Sequence, residues 1–159
     1  MFTGTSINET EKRLKYVGRN DGLCYIGTKD VGFDHNITYE NGVKIPFNND
    51  AFRIAPQDCV LMCIEGGSAG RKIAVTNREV CFGNKLCCFI PYHILSHYLY
   101  FFLQSSLFAE DFKANTTGII GGVSIKKLMN ILLPIPPLAE QRRIVSKIET
   151  LLPRLKGLE

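Results

Sequence analysis

No run in this chain of 159 residues approaches the roughly 20 consecutive apolar side chains that a bilayer-crossing helix needs, so no membrane-spanning segment is expected. The opening stretch MFTGTSINETEKRLK has no apolar core behind a basic start, which argues against secretion and for the cytoplasm. None of the six cysteines (Cys24, Cys59, Cys63, Cys81, Cys87, Cys88) belongs to a C-x-x-C pair. Most lie in apolar runs such as Cys59-Val-Leu-Met-Cys63-Ile, the setting of buried reduced thiols rather than of zinc ligands or a disulfide frame. No metal ligand set is expected. No histidine follows His97, and no internal repeat is visible.

What is present describes a globular chain. Hydrophobic residues make up 45%, enough for a single domain of this length to bury a core without metal or disulfides. The formal net charge is +4. This mild excess permits a nucleic-acid partner without demanding one. From Thr116 onward Lys126, Lys127, Arg142, Arg143, Lys147, Arg154 and Lys156 face only Glu140, Glu149 and Glu159, so the whole excess lies there. Any basic face elsewhere has to be assembled by folding.

Residues 1–20 show no clean period and read as a loop or short irregular helix around Asn8–Val17. Leu23–Gly27 is a short strand running into a turn at 28–32. Residues 37–39 and 43–45 flank Asn41-Gly42, a step that favours a tight hairpin, and Phe52–Ile54 adds a short strand. The unbroken apolar run Cys59–Ile64 suits a strand buried on both faces. A glycine-rich loop, 65–72, leads to a return strand at 73–76, then to strands at 80–82 and 86–90. After Pro91 the period changes, and apolar residues at 94, 95, 98, 99, 102 and 103 predict one long helix from Tyr92 to Phe112. Its aromatics at 98–102 read as core. A second glycine-rich loop spans Asn115–Gly122, and Ser124 caps a short helix, Ile125–Asn130. The fold class is α+β: a hairpin-rich sheet with a long packed helix, followed by a projecting C-terminal helix.

That last helix follows Leu132-Leu133-Pro134-Ile135-Pro136-Pro137, an arm stiffened by three prolines. Pro137 stands at about the first helical position and Glu140 puts negative charge in the first turn. Leu138, Val145, Ile148, Leu152 and Leu155 recur at the spacing of a coiled-coil seam, widened by Ile144, Leu151 and Leu158. With Gln141 they form the expected partner-facing surface. The organisation is therefore a domain over 1–133 and an arm with its helix over 134–159. Pro153 marks a kink or a last turn.

Several loop residues carry candidate chemistry. Gly66-Gly67-Ser68-Ala69-Gly70 satisfies the G-x-S-x-G pattern of a hydrolase nucleophile elbow, but a strand rather than a helix follows it and no late histidine exists. It is not a P-loop either, because Arg71 stands where a glycine should precede Lys72. Exposed glycine N–H groups with Ser68, Arg71 and Lys72 instead suit nucleic-acid contact; a solvated turn is the bland alternative. Lys29 and Asp30 close the first strand as a donor and an acceptor. Asn84-Lys85 interrupts apolar strands, either as base-reading groups or as a plain turn. Thr116 and Thr117 suit backbone contacts, and Lys126 and Lys127 suit phosphates. No catalytic residue is expected.

The segment LLPIPPLAEQRRIVSKIE resembles the one that follows a target-recognition domain in the specificity subunits of type I restriction–modification systems. Four further pieces resemble that family in order: YIGTKDVGFD, APQDCVLMCIEGGSAGRKIAV, CFGNKLCCFIP with LSHYLYFFLQS, and TTGIIGGVSIKKLMN. The family's lead-in strand has no evident counterpart, nor has a second recognition domain, which implies a half-length subunit or an excised domain. The resemblance implies sequence-specific binding of double-stranded DNA by the candidate residues. It also implies docking of methyltransferase (M) and restriction (R) subunits, with a homodimer through the final helix as a further expectation. The chain itself would use no cofactor; S-adenosylmethionine, ATP and magnesium would belong to the partner subunits. Two other functions remain in view: a protein–protein dimerisation module built on the last helix, and a small serine hydrolase using Ser68.

Overall fold

The computed structural model describes residues 1–118 and 121–156. Among the described residues, eight strands form two four-stranded sheets. The first has the order β1 (Phe2–Thr3), β8 (Leu86–Phe89), β5 (Val60–Cys63), β6 (Ile73–Val75), and every pairing in it is antiparallel. The second has the order β3 (Lys44–Ile45), β2 (Leu23–Ile26), β7 (Val80–Phe82), β4 (Ile54–Ala55), with β2 and β7 parallel.

The sheets pack face to face because β5 and β8 are apolar at every position and buried at every position. Leu61, Cys63, Leu86 and Cys88 join Cys24, Ile26, Val80 and Phe82 of the second sheet in one cluster. The alternate residues Val60, Met62, Cys87 and Phe89 face helices instead. The unbroken run thus serves two cores at once. Each fully buried aliphatic side chain contributes on the order of 1.5–3 kcal/mol. On the far side of the second sheet, Tyr25, Ile45 and Cys81 pack with Tyr16, Val43 and Phe52.

The helices are α1 (Glu9–Lys15), α2 (Ser96–Phe102), α3 (Ser106–Asn115), α4 (Ile125–Leu128) and α5 (Leu138–Lys156). Asn8 caps α1 by accepting from Glu11 N at 2.8 Å, and Ser124 caps α4 as expected. The single long helix from Tyr92 to Phe112 is corrected to two. Ser105 adopts extended geometry and its hydroxyl accepts from Phe108 N at 3.2 Å, so a new helix starts where periodicity alone would continue. The apolar face survives the break, with Tyr98, Leu99, Leu103, Phe108 and Phe112 all buried.

The Asn41-Gly42 hairpin is also corrected. Val31 bridges Ile37 and Val17 bridges Val43, while β3 pairs with β2. Asn41 decides this: its amide donates to Tyr25 O at 2.7 Å and its oxygen accepts from Val43 N at 3.0 Å, laying the turn onto β2. Residues 1–20 hold an edge strand, β1, that periodicity did not reveal because two residues carry no period.

The proline arm and α5 are tied to the body. Tyr98 Oη donates to Pro134 O at 2.8 Å. Gln141, expected on a partner-facing surface, is fully buried. Its Oε1 accepts from Leu95 N at 2.8 Å and its Nε2 donates to Pro136 O at 2.9 Å. Gln141 is therefore a pin between α5, the arm and the start of α2, not a partner contact. Ile144, Val145 and Ile148 are half-buried, and from Glu149 to Arg154 every side chain is exposed. Pro153 lies inside α5, which runs on to Lys156. The Leu155 side chain, Leu158, Ile119 and Ile120 lie outside the described residues.

Gln141→Ala should cost about 1–3 kcal/mol in urea unfolding, because it strands the Leu95 N–H and the Pro136 carbonyl in a dry site; an unchanged midpoint would contradict the pin. All six cysteines are buried and free. Burial pushes the Cys81 thiol up to about 11, and that of Cys87 and the phenol of Tyr25 up to about 12. Native protein holds these protons at pH values where the unfolded chain releases them, so stability should fall as pH rises from about 9 through 12, followed by chemical unfolding in a pH series.

Candidate nucleic-acid interface

Strand register decides which loops meet. Cys63 lies opposite Leu86, so the glycine-rich loop after β5 and the 83–85 connection before β8 leave the same end of the first sheet. Ile26 lies opposite Phe82 in the parallel pair, which brings the 27–30 turn to that end as well. Gly83 N donates to Ile26 O at 2.9 Å and continues the pairing. The second glycine-rich loop is stitched on by backbone bonds: Gly66 N to Gly121 O at 2.9 Å and Val123 N to Ile64 O at 3.0 Å. Four segments distant in sequence thus form one surface.

The glycine loop is held in shape by its backbone. Gly70 has φ +72, and a Cβ there would stand 3.0 Å from the Phe112 ring, so a side chain here would be strained on both counts. Ser68 O accepts from Arg71 N at 3.1 Å. The Ser68 hydroxyl lies 3.3 Å from Cys63 Sγ, and β6 rather than a helix follows. The strand–turn–helix of a nucleophile elbow is absent here. Arg71 is exposed and donates through Nη2 to Gly67 O at 2.7 Å. Lys72 is half-buried and donates to Thr28 O at 2.9 Å, tying this loop to the 27–30 turn.

The other candidates divide by exposure. Lys29, Asn84, Lys85, Thr117 and Lys126 face solvent. Lys85 Nζ is 3.6 Å from Glu65 Oε1, an ion pair across two loops. Asp30 is corrected: its carboxylate is buried and accepts from Gly27 N at 2.8 Å, closing the turn instead of facing outward. Thr116 and Lys127 are half-buried, the hydroxyl donating to Phe112 O at 3.0 Å and the ammonium to Asn115 O at 3.1 Å. Both groups satisfy carbonyls at the C-terminal end of α3, where a cation is also favoured by the helix dipole.

A cleft of ≈ 890 Å³ opens among these loops, lined by Thr3, Glu65, Asn84, Thr117, Ser124 and Ile125 among others. A smaller one of ≈ 220 Å³ lies between Lys12, Thr28, Asn84 and Lys85. Sequence reasoning missed Glu65, Lys12 and Phe33. Glu65 had a signal, as a charge closing an otherwise apolar strand before two glycines. Phe33 had a weaker one, a lone aromatic among turn residues. Lys12 had none, since it reaches the site only by the placement of α1. Among the described residues, no three His, Cys, Asp or Glu side chains are grouped to hold a metal ion, and no helix is long and apolar enough to cross a membrane. Exposed cations, an amide and hydroxyls are equipped to bind phosphate oxygens and base edges. The Gly66 and Gly70 N–H groups, expected to be exposed, are corrected to structural donors, spent on Gly121 O at 2.9 Å and Cys63 O at 2.8 Å.

Comparison with known proteins gives the same direction. The chain is 28% identical over 153 residues to the type I restriction enzyme EcoBI specificity subunit of Escherichia coli, covering 89% of this chain and 28% of that protein. The HsdS subunit from Thermoanaerobacter tengcongensis superposes with TM-score 0.75 and 25% identity, over 98% of this chain and 35% of that one. A chain from a structure of a type I R-M system superposes with TM-score 0.77 at 23% identity, over 99% of this chain and 36% of that one. The chain thus spans about a third or less of the length of these relatives. The family model for the type I restriction modification DNA specificity domain matches residues 19–157, nearly the whole chain. On that match, the chain belongs to the family of type I restriction modification DNA specificity domains.

Proposed function

We propose that this chain is a target-recognition domain that binds double-stranded DNA and selects the site at which partner subunits act. The observation that carries this reading is the convergence of four loops at one end of the two-sheet body, presenting Lys29, Arg71, Asn84, Lys85, Thr117 and Lys126 to solvent together. Lysines at the rim would hold phosphates and set the register; Asn84 and Arg71 are of the types that read adenine and guanine in the major groove. The domain chooses and does not catalyse. Methyl transfer and strand cutting, with S-adenosylmethionine, ATP and magnesium, fall to methyltransferase and restriction subunits in the cytoplasm.

The exposed stripe of α5 favours a second role beside the first. Leu138, Leu151 and Leu152 are each about 40% exposed. An apolar helix face of this kind suits a partner helix, from a methyltransferase subunit or from a second copy of the chain. The same reading keeps a domain over 1–133, with Leu133 packed on the helical core, and an arm with its helix over 134–159 that is pinned back onto that domain.

Affinity for a mixed-sequence duplex should fall steeply with salt, and Lys85→Ala and Lys126→Ala should each weaken binding to all sequences alike and lower the log–log slope by about 1. Salt-independent binding, or no duplex binding by the chain, would contradict the reading. The unaltered chain should leave a chromogenic ester intact; turnover abolished by Ser68→Ala would establish the hydrolase instead.

A further inference from the structure

The Val31–Ile37 segment, which sequence reasoning left without a role, is closely braced. Val31 bridges Ile37, and Gly32 N donates to Asn36 O at 2.9 Å. The Asp34 carboxylate accepts from Asn36 N at 3.2 Å and from Asn36 Nδ2 at 2.8 Å. His35 takes a left-handed φ of 66° and donates through Nδ1 to Ile73 O at 3.0 Å, anchoring the tip to β6. The one large apolar side chain this brace presents to solvent is Phe33, 58% exposed.

The ring is not idle. Its centroid lies 5.1 Å from the Arg71 guanidinium carbon and 5.1 Å from Lys72 Nζ. Lys72 is already tied to Thr28 O, whereas Arg71 spends one N–H on Gly67 O. A guanidinium carries five N–H donors in a planar fork. Here that fork is restrained twice, by the Phe33 ring over which its central carbon stands and by a carbonyl at one corner. An arginine loose on a glycine loop contributes charge; one whose plane is fixed contributes direction.

We infer that Phe33 is a positioning residue for sequence choice, holding the Arg71 fork so that its free N–H edge meets O6 and N7 of a guanine in the major groove. The inference rests on the proposed DNA-reading role and adds to it a residue, a base and a division of labour. Arg71 reads, Phe33 aims it, and Lys72 ties the Arg71 loop to the turn that precedes Phe33.

The test is selection by the purified chain from a duplex pool randomised across a central window, followed by competition between the enriched duplex and single-base variants. The unaltered chain should enrich a motif containing a guanine. Phe33→Ala should lose discrimination at that guanine by roughly tenfold, at the same position as Arg71→Ala. Its salt slope should stay as in the unaltered chain, since no charge is removed. Phe33→Tyr, which keeps the ring face, should retain the preference. Thermal melting accompanies each variant, and Phe33→Leu replaces Phe33→Ala if the latter melts early. An enriched motif that Phe33→Ala leaves intact, a uniform loss at every position, or a Tyr variant that behaves as the Ala variant would overturn this inference alone. Failure of the unaltered chain to enrich any motif would overturn the DNA-reading role and this inference with it.

Discussion

Strand register is the constraint on which the surface depends. Pairing Cys63 with Leu86 and Ile26 with Phe82 sends the exits of β2, β5 and β7 and the entry to β8 toward one end. A one-residue slip in β5 would turn Leu61 and Cys63 away from the second sheet and swap them with Val60 and Met62. Because both faces of β5 are buried, such a slip costs packing on two sides. The same apolar run that makes the core therefore also fixes where Arg71, Lys85 and their neighbours emerge.

Polar groups then convert loops into a surface of fixed shape. Lys72 joins the first glycine loop to the 27–30 turn, Lys85 and Glu65 bridge two loops, and Lys127 closes α3 beside the second glycine loop. Asp30, Lys72 and Lys127, which a contact-based reading would assign to DNA, are thus spent on building the platform, while Lys85 stays exposed. The loops left over carry single exposed groups with defined origins, an arrangement that favours direction over bulk charge. A net charge of only +4 is consistent with that economy.

Much of this was legible in the sequence, and the failures have physical causes. The buried run at β5, the Ser124 cap and the helix after the prolines follow from hydrophobic pattern and capping chemistry, which act over a few residues. The break between α2 and α3 was hidden because Ser105 interrupts the chain without interrupting the apolar face. Two sheets were read as one because β7 and β8 are adjacent in sequence yet belong to different layers, and local pattern says nothing about which layer a strand joins. Asp30 and Gln141 look like exposed polar residues in sequence; each is buried by a specific backbone N–H that needs it. Phe33 reaches Arg71 only through tertiary placement.

The most direct measurement of the central claim is amide hydrogen exchange on the chain with and without duplex DNA. Protection on DNA addition should gather at 27–30, 65–72 and 83–85, the segments that register brings to one end, and at 121–127, bonded to them through Ile64 and Gly66. Protection confined to α5, or to the opposite end of the sheets around β3 and the 76–79 turn, would contradict it.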